Sequence, residues 1–161
     1  MKRGRLRRAA AVLIGLTLLW IWGHSLVNAD RSGAESGRVQ ALLAALFGPG
    51  IADTFLYRSI RKLAHFTEYA LLGTECGVSR LLAADRRKGL RPVLLLGPAA
   101  AVIDELLQFF SPGRCPAAAD VLLDSAGYFT GLAAALLIGW GICRLRARRR
   151  SRKRPEDPRS V

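Results

Sequence analysis

The sequence predicts an all-α polytopic membrane helix bundle, with about four transmembrane helices plus a short outer interfacial helix. Three observations predict it. Of 161 residues 51% are hydrophobic and 23% charged; the apolar residues gather in four blocks; and the basic residues gather at the ends of those blocks. Such segregation fits a chain that uses lipid as solvent, because a hydrocarbon core about 30 Å thick needs roughly 20 apolar residues per helical crossing.

The first block, "AAAVLIGLTLLWIWGHSLV", covers residues 9–27. A signal peptide is the competing reading, with "VNA" at 27–29 as a cleavage site. The apolar run is long for that purpose, and Trp20 and Trp22 stand near its outer end, where interfacial aromatics belong, so an uncleaved helix is preferred. The second block covers residues 63–83, the third, "RPVLLLGPAAAVIDELLQFF", 91–110, and the fourth, "DVLLDSAGYFTGLAAALLIGWGIC", 120–143.

Between the first two blocks, "GRVQALLAALFGPG" carries Val39, Leu42, Leu43, Leu46 and Phe47 on one helical face before Gly48-Pro49-Gly50 stops it. Too short to span, it is expected to lie on the outer leaflet or plug the mouth of the bundle. The following "IADTFLYRSIRK" is expected to begin the second helix before lipid is reached.

Orientation follows from the basic residues, which remain cytoplasmic near membrane ends. "MKRGRLRR" holds five, "RLLAADRRKGLR" five and the tail from Arg144 nine, so 19 of the 25 Lys and Arg fall on one side if four helices alternate. The chain divides accordingly into a basic cytoplasmic N-terminus (1–8), a transmembrane domain (9–143) and a basic, disordered cytoplasmic tail (144–161). It is expected in the cell membrane, multi-pass, with both termini cytoplasmic. The tail is a solvated charge run drawn to anionic lipid; membrane lipids are expected partners and nucleic acid is not. Cys76, Cys115 and Cys143 should lie at different depths, so no disulfide framework is implied.

With about 1.5 Å of rise per residue, the polar residues fall at one level. His65 and Glu68 sit at the outer end of the second block; Asp104, Glu105 and Gln108 at the outer end of the third; Asp120 and Asp124 at the outer start of the fourth; and Arg114 in the loop "SPGRCPAAA". The faces agree. His65, Glu68, Leu72, Glu75 and Ser79 form one stripe, Gly97, Ala101, Asp104 and Gln108 another, and Asp120 and Asp124 continue the small residues Gly127, Gly131, Ala135 and Gly139. Small residues at this spacing permit close helix contact in lipid, so the carboxylates are expected to face inward.

Each feature has a plainer account: Asp120 caps a helix N-terminus, His65 and Glu68 are wetted at the interface, Asp104 and Gln108 bond between helices, and Pro98 kinks its helix. Their convergence weakens those accounts, because a charge inside the membrane costs roughly 2.5 to 3.5 kcal/mol on insertion scales. Glu68, Asp104, Glu105, Asp120 and Asp124 make five carboxylates, opposed by Lys62, Arg114 and His65. At close range they either hold protons or bind a cation. A divalent metal with carboxylate oxygens and His65 nitrogen as ligands fits these residue types.

"RKLAHFTEYALLG" at 61–73, followed by "DELLQFFSPGRCPAAADVLLDSAGYFTG" from 104 to 131, resembles the pattern of VanZ-like membrane proteins. There a Lys-x-x-His-Phe-x-x-Tyr block precedes an Asp-Glu-x-x-Gln-x-Phe-x-Pro-x-Arg block and then Asp with a downstream Gly. The residues carrying it are Lys62, His65, Phe66, Tyr69, Asp104, Glu105, Gln108, Phe110, Arg114, Asp120 and Gly127; Asp124 stands where such proteins often have Asn. The resemblance spans 61–131 and implies a small bacterial envelope protein with several membrane helices. The namesake is associated with resistance to the glycopeptide teicoplanin, so the resemblance also brings in glycopeptide susceptibility as a phenotype, with a lipid-linked cell-wall precursor or a glycopeptide as candidate partner.

The expected ligand-binding set is therefore Lys62, His65, Glu68, Tyr69, Asp104, Glu105, Gln108, Arg114, Asp120 and Asp124, with His65, Glu68, Asp104 and Glu105 as the catalytic candidates if a bond is broken. Three functions compete: binding or helping to process a cell-wall or lipid-linked envelope component, a metal-dependent hydrolase acting on such a precursor, and a small proton-coupled carrier in which Glu75 extends the polar stripe. The carrier is disfavoured because the inner halves of the third and fourth blocks are plainly aliphatic. The sequence holds no serine elbow, zinc motif or phosphate loop, and it does not exclude a homo-oligomer.

Overall fold

A computed structural model describes residues 2–26, 29–48, 50–51, 54, 59–83, 89–114 and 117–152. Five helices and no strand occur among the described residues: α1 (Lys2–Ser25), α2 (Ala29–Phe47), α3 (Ile60–Leu82), α4 (Leu90–Phe109) and α5 (Ala118–Arg152). Half of the expected lead-in "IADTFLYRSIRK" lies outside the described residues, as do Cys115 and the end of the tail; the third helix begins at Ile60.

Side-chain contacts fix the helix directions. Thr17 meets Glu75 and His24 meets Glu68, so α1 and α3 run antiparallel. Trp22 meets Ala100 and Ser25 meets Asp104, so α1 and α4 run parallel. Phe66 and Ala70 abut Gly127 and Gly131, so α3 and α5 run parallel, and α5, which packs on α4 through Tyr128 and Gly97, therefore opposes it. The four helices alternate up, down, up, down.

The broadest interface joins α3 to α5, because glycine faces backbone there. A Cβ at Gly73 would collide with the Tyr128 carbonyl, and one at Gly131 with the Ala70 carbonyl. The contact is thus backbone on backbone, the close approach that small residues at four-residue spacing allow in lipid. Thr74 adds hydrogen bonds to the Ala70 carbonyl (2.8 Å) and the Gly131 carbonyl (3.3 Å). Around this seam Ile21, Tyr69, Leu72, Cys76, Ala100, Ala101, Tyr128 and Leu132 form the buried core.

The surface is inverted relative to a water-soluble bundle. Leu19, Trp20, Leu95, Phe109, Phe110, Leu122 and Leu137 are exposed, whereas Asp104, Asp124, Gln108 and Glu75 are buried. Apolar outside and polar inside is the distribution of a membrane protein. Among the described residues two helices, over Gly4–Ser25 and Ala118–Arg149, are long and apolar enough to cross a membrane. α3 and α4, at 23 and 20 residues, have the length for a crossing, but Glu68, Glu75, Arg80, Asp104 and Glu105 lower their hydropathy.

Two elements differ from expectation. The outer helix is not a short run beginning near Gly37 but α2, with 19 residues; the His24–Glu35 contact (2.8 Å) ties its first half to α1, a tertiary contact that overrides the weak helix formers in "ADRSGAES", and it stops at Gly48, whose φ of 83° an L side chain rarely adopts. Residues 144–152 are helical rather than disordered. Arginine is itself a good helix former, and the Arg144 guanidinium lies 5.0 Å from the Trp140 ring centre, extending the helix past its apolar part.

Candidate functional site

The polar residues meet at one end of the bundle, where the end of α1, the first turns of α3, the last turns of α4 and the first turns of α5 converge. Asp104 is at the centre, wholly buried. The Ser25 hydroxyl donates to its Oδ1 (2.5 Å) and the Gln108 amide to its Oδ2 (3.1 Å), while Ser111 fixes the end of α1 by donating to the Ser25 carbonyl (2.9 Å). Nδ1 of His65 stands 3.9 Å from Oδ2 of Asp104 and 3.9 Å from Oδ2 of Asp124. These separations are too long for hydrogen bonds.

Asp124 is the anomaly. It is 1% exposed, yet neither carboxylate oxygen has a hydrogen-bond partner among the described residues. Buried polar groups are ordinarily satisfied, and an orphaned one calls for an explanation. Arg114, held by the turn in which its backbone N–H donates to the Ser111 carbonyl (3.3 Å), is likewise buried with Nε and Nη1 unpartnered. Burial holds its guanidinium below the ordinary value and Arg61 adds to this, while Asp104 and Glu105 oppose it; arginine nevertheless stays charged.

Both orphans line the same cavity of about 330 Å³, with Arg61, Lys62, His65, Gln108, Gly113, Asp120 and Leu123. Asp120 sits in the first turn of α5, where the helix dipole favours an anion. Of the residues expected to bind a ligand, Lys62, His65, Gln108, Arg114, Asp120 and Asp124 line this cavity, and Asp104 lies directly beside His65.

Three expected residues do not line it. Glu68 turns to Nδ1 of His24 at 3.6 Å, whose Nε2 lies 2.8 Å from Glu35 on α2, and these three border a neighbouring pocket of about 180 Å³. Glu105 accepts a hydrogen bond from the Ala117 N–H (2.9 Å), tying the loop back to α4. Tyr69 is buried in the core with its hydroxyl unpartnered among the described residues. Glu75 is bonded by Thr17 (2.9 Å) between α1 and α3, away from the cavity.

Reading the sequence missed Arg61, Ser25 and His24. Arg61 adjoins Lys62 in the block that carried the resemblance, and Ser25 and His24 lie at the outer end of the first apolar block, at the depth already assigned to the carboxylates. That shared depth was the signal that could have found them.

No curated protein and no solved structure matches the chain. A family profile described as VanZ/LLP1 matches residues 10–139, a span that takes in all of α3 and α4, the greater part of α1 and of α5, and every residue lining the cavity. The chain belongs to the VanZ/LLP1 family.

Proposed function

We propose that this is a four-span protein of the bacterial cell membrane whose outer-facing pocket binds the phosphate-bearing headgroup of a lipid or lipid-linked cell-wall precursor. The observation that carries the ligand reading is the pair of unsatisfied buried groups on one cavity. Among the described residues Arg114 offers two donor nitrogens, Nε and Nη1, with no acceptor, and Asp124 two oxygens with no donor, although both line the same space. A ligand that accepts from one wall and brings positive charge to the other satisfies both. Arg61 and Lys62 add cationic charge at the rim, and guanidinium groups pair with phosphate through charge-assisted hydrogen bonds.

The alternation of α1, α3, α4 and α5 supports four crossings, and the clustering of basic residues at 2–8, 80–91 and 144–159 supports cytoplasmic termini. The exposed Val39, Leu42, Leu46 and Phe47 give α2 an apolar face suited to lying in the outer interface. Processing of the bound precursor, and through it a change in glycopeptide susceptibility, extends this reading.

Native mass spectrometry of full-length protein released gently from its own membrane tests it. Wild type is expected to retain a phosphate-bearing lipid that Arg114→Gln loses. Equal retention by both, or no retained species in either, sinks the headgroup reading. Periplasmic labelling of a cysteine placed at Gly113, but not of one placed at Gly4, tests the orientation.

A further inference from the structure

We infer that His65, Asp104 and Asp124 form a divalent-cation site in the wall of this pocket. The inference rests on the pocket reading for its cavity and deepens it by naming what meets Asp124.

One ligating atom from each residue, the imidazole Nδ1 and one oxygen of each carboxylate, lies within 4.8 Å of the others. Two atoms each about 2.1 Å from a shared ion stand about 3.0 Å apart at a right angle and about 3.6 Å apart at 120°. At ligand distances of about 2.3 Å, as for a larger hard cation, the 120° separation is about 4.0 Å. The 3.9 Å gaps on either side of His65 match the upper part of that range, and are too wide for the residues to satisfy one another directly. The three come from three helices, so the trio exists only when the bundle is assembled.

The surroundings resemble those of ligating groups. Asp104 is oriented by Ser25 and Gln108, the outer hydrogen bonds that hold metal-binding carboxylates in place. Asp124 lacks such partners and is almost fully buried. Two carboxylates and a neutral imidazole carry two negative charges, which a divalent ion neutralises. Three protein ligands leave coordination positions open, the arrangement of a site that receives a ligand rather than a purely structural one. One nitrogen and two oxygens suit Mn²⁺ or Zn²⁺, the smaller Zn²⁺ drawing the 3.9 Å gaps in by a few tenths of an ångström. A phosphate oxygen at the open position, with Arg114 on another phosphate oxygen, joins the ion to the headgroup.

Full-length protein in detergent, stripped with a chelator and returned to Mn²⁺ or Zn²⁺ alone, is the test. Wild type should take up about one ion per chain. Asp124→Asn and His65→Gln should lose that ion, and Ser25→Ala should weaken it about tenfold through the outer hydrogen bond alone. Glu75→Gln, a buried carboxyl outside the trio, should bind as wild type does. Folded wild type that binds neither ion overturns the inference, as does undiminished binding by both Asp124→Asn and His65→Gln. Retention of a phosphate lipid without any ion sinks the cation site and leaves the headgroup reading standing. Ion binding with no phosphate ligand does the reverse.

Discussion

Helices α3 and α5 are in backbone contact from Phe66 and Gly127 inward, yet immediately outside that contact they part around His65 and Asp124. Along the seam Gly73 and Gly131 bring main chain against main chain, and Thr74 satisfies its hydroxyl twice. At the pocket end the same helices present an imidazole and a carboxylate that do not reach each other, beside an arginine whose Nε and Nη1 have no acceptor among the described residues. The difference separates packing from the proposed binding site. The seam gains from dispersion contacts and satisfied polar groups, while the pocket retains groups unsatisfied among the described residues, as the proposed ligand site requires. In lipid there is no hydrophobic force between helices, so a tight seam is needed to hold such a pocket open.

The largest test of this division is Gly131→Leu. Its Cβ would meet the Ala70 carbonyl, a main-chain atom with no rotamer to yield, so the cost should exceed the about 1–3 kcal/mol usual for overpacking. Loss of monodisperse folded protein on size-exclusion chromatography is expected; a wild-type profile with wild-type Tm would break the comparison. Next is Asp104→Ala, which strands the Ser25 hydroxyl and the Gln108 amide. At about 1–3 kcal/mol per unsatisfied buried group, a clear fall in Tm is expected, with Asp104→Asn recovering part of it.

Asp124→Asn should act oppositely. Because nothing among the described residues donates to this carboxylate, neutralising it should leave the ion-free protein as stable as wild type, or more stable by about 1–3 kcal/mol, while abolishing cation uptake. A large drop in Tm would place Asp124 on the structural side of the comparison. The smallest effect belongs to the core. Tyr128→Phe removes the hydroxyl that donates to the Val93 carbonyl at 2.5 Å, and a loss of about 1 kcal/mol is expected in thermal unfolding, with cation binding unchanged.

The placement of the site was legible in part. Stripes of His65 with Glu68, and of Asp104 with Gln108, could be drawn because helical periodicity and depth are local properties of a chain. They could not say which members face the same neighbour. Glu68 and Glu105 share their depth with Asp104, yet one turns to His24 and the other to the Ala117 N–H. A rotation of some tens of degrees about a helix axis decides this, and that rotation is set by where glycines let two backbones touch. The same reason hid Ser25, which has no chemical signature until the end of α1 meets Asp104.

Composition and spacing by themselves determined that the protein is helical and built for lipid, that basic residues gather at one set of helix ends, and that acidic residues gather at the other. Those follow from hydrocarbon thickness and the cost of moving charge through it. Only the tertiary structure decided that α2 runs from Ala29, that α5 continues through Arg152, and that His65, Asp104 and Asp124 come together. The physical reason is that a three-helix constellation depends on packing distances of a few ångströms between segments far apart in the chain. Gly73, Gly127 and Gly131 set those distances by having no side chain to hold the helices apart.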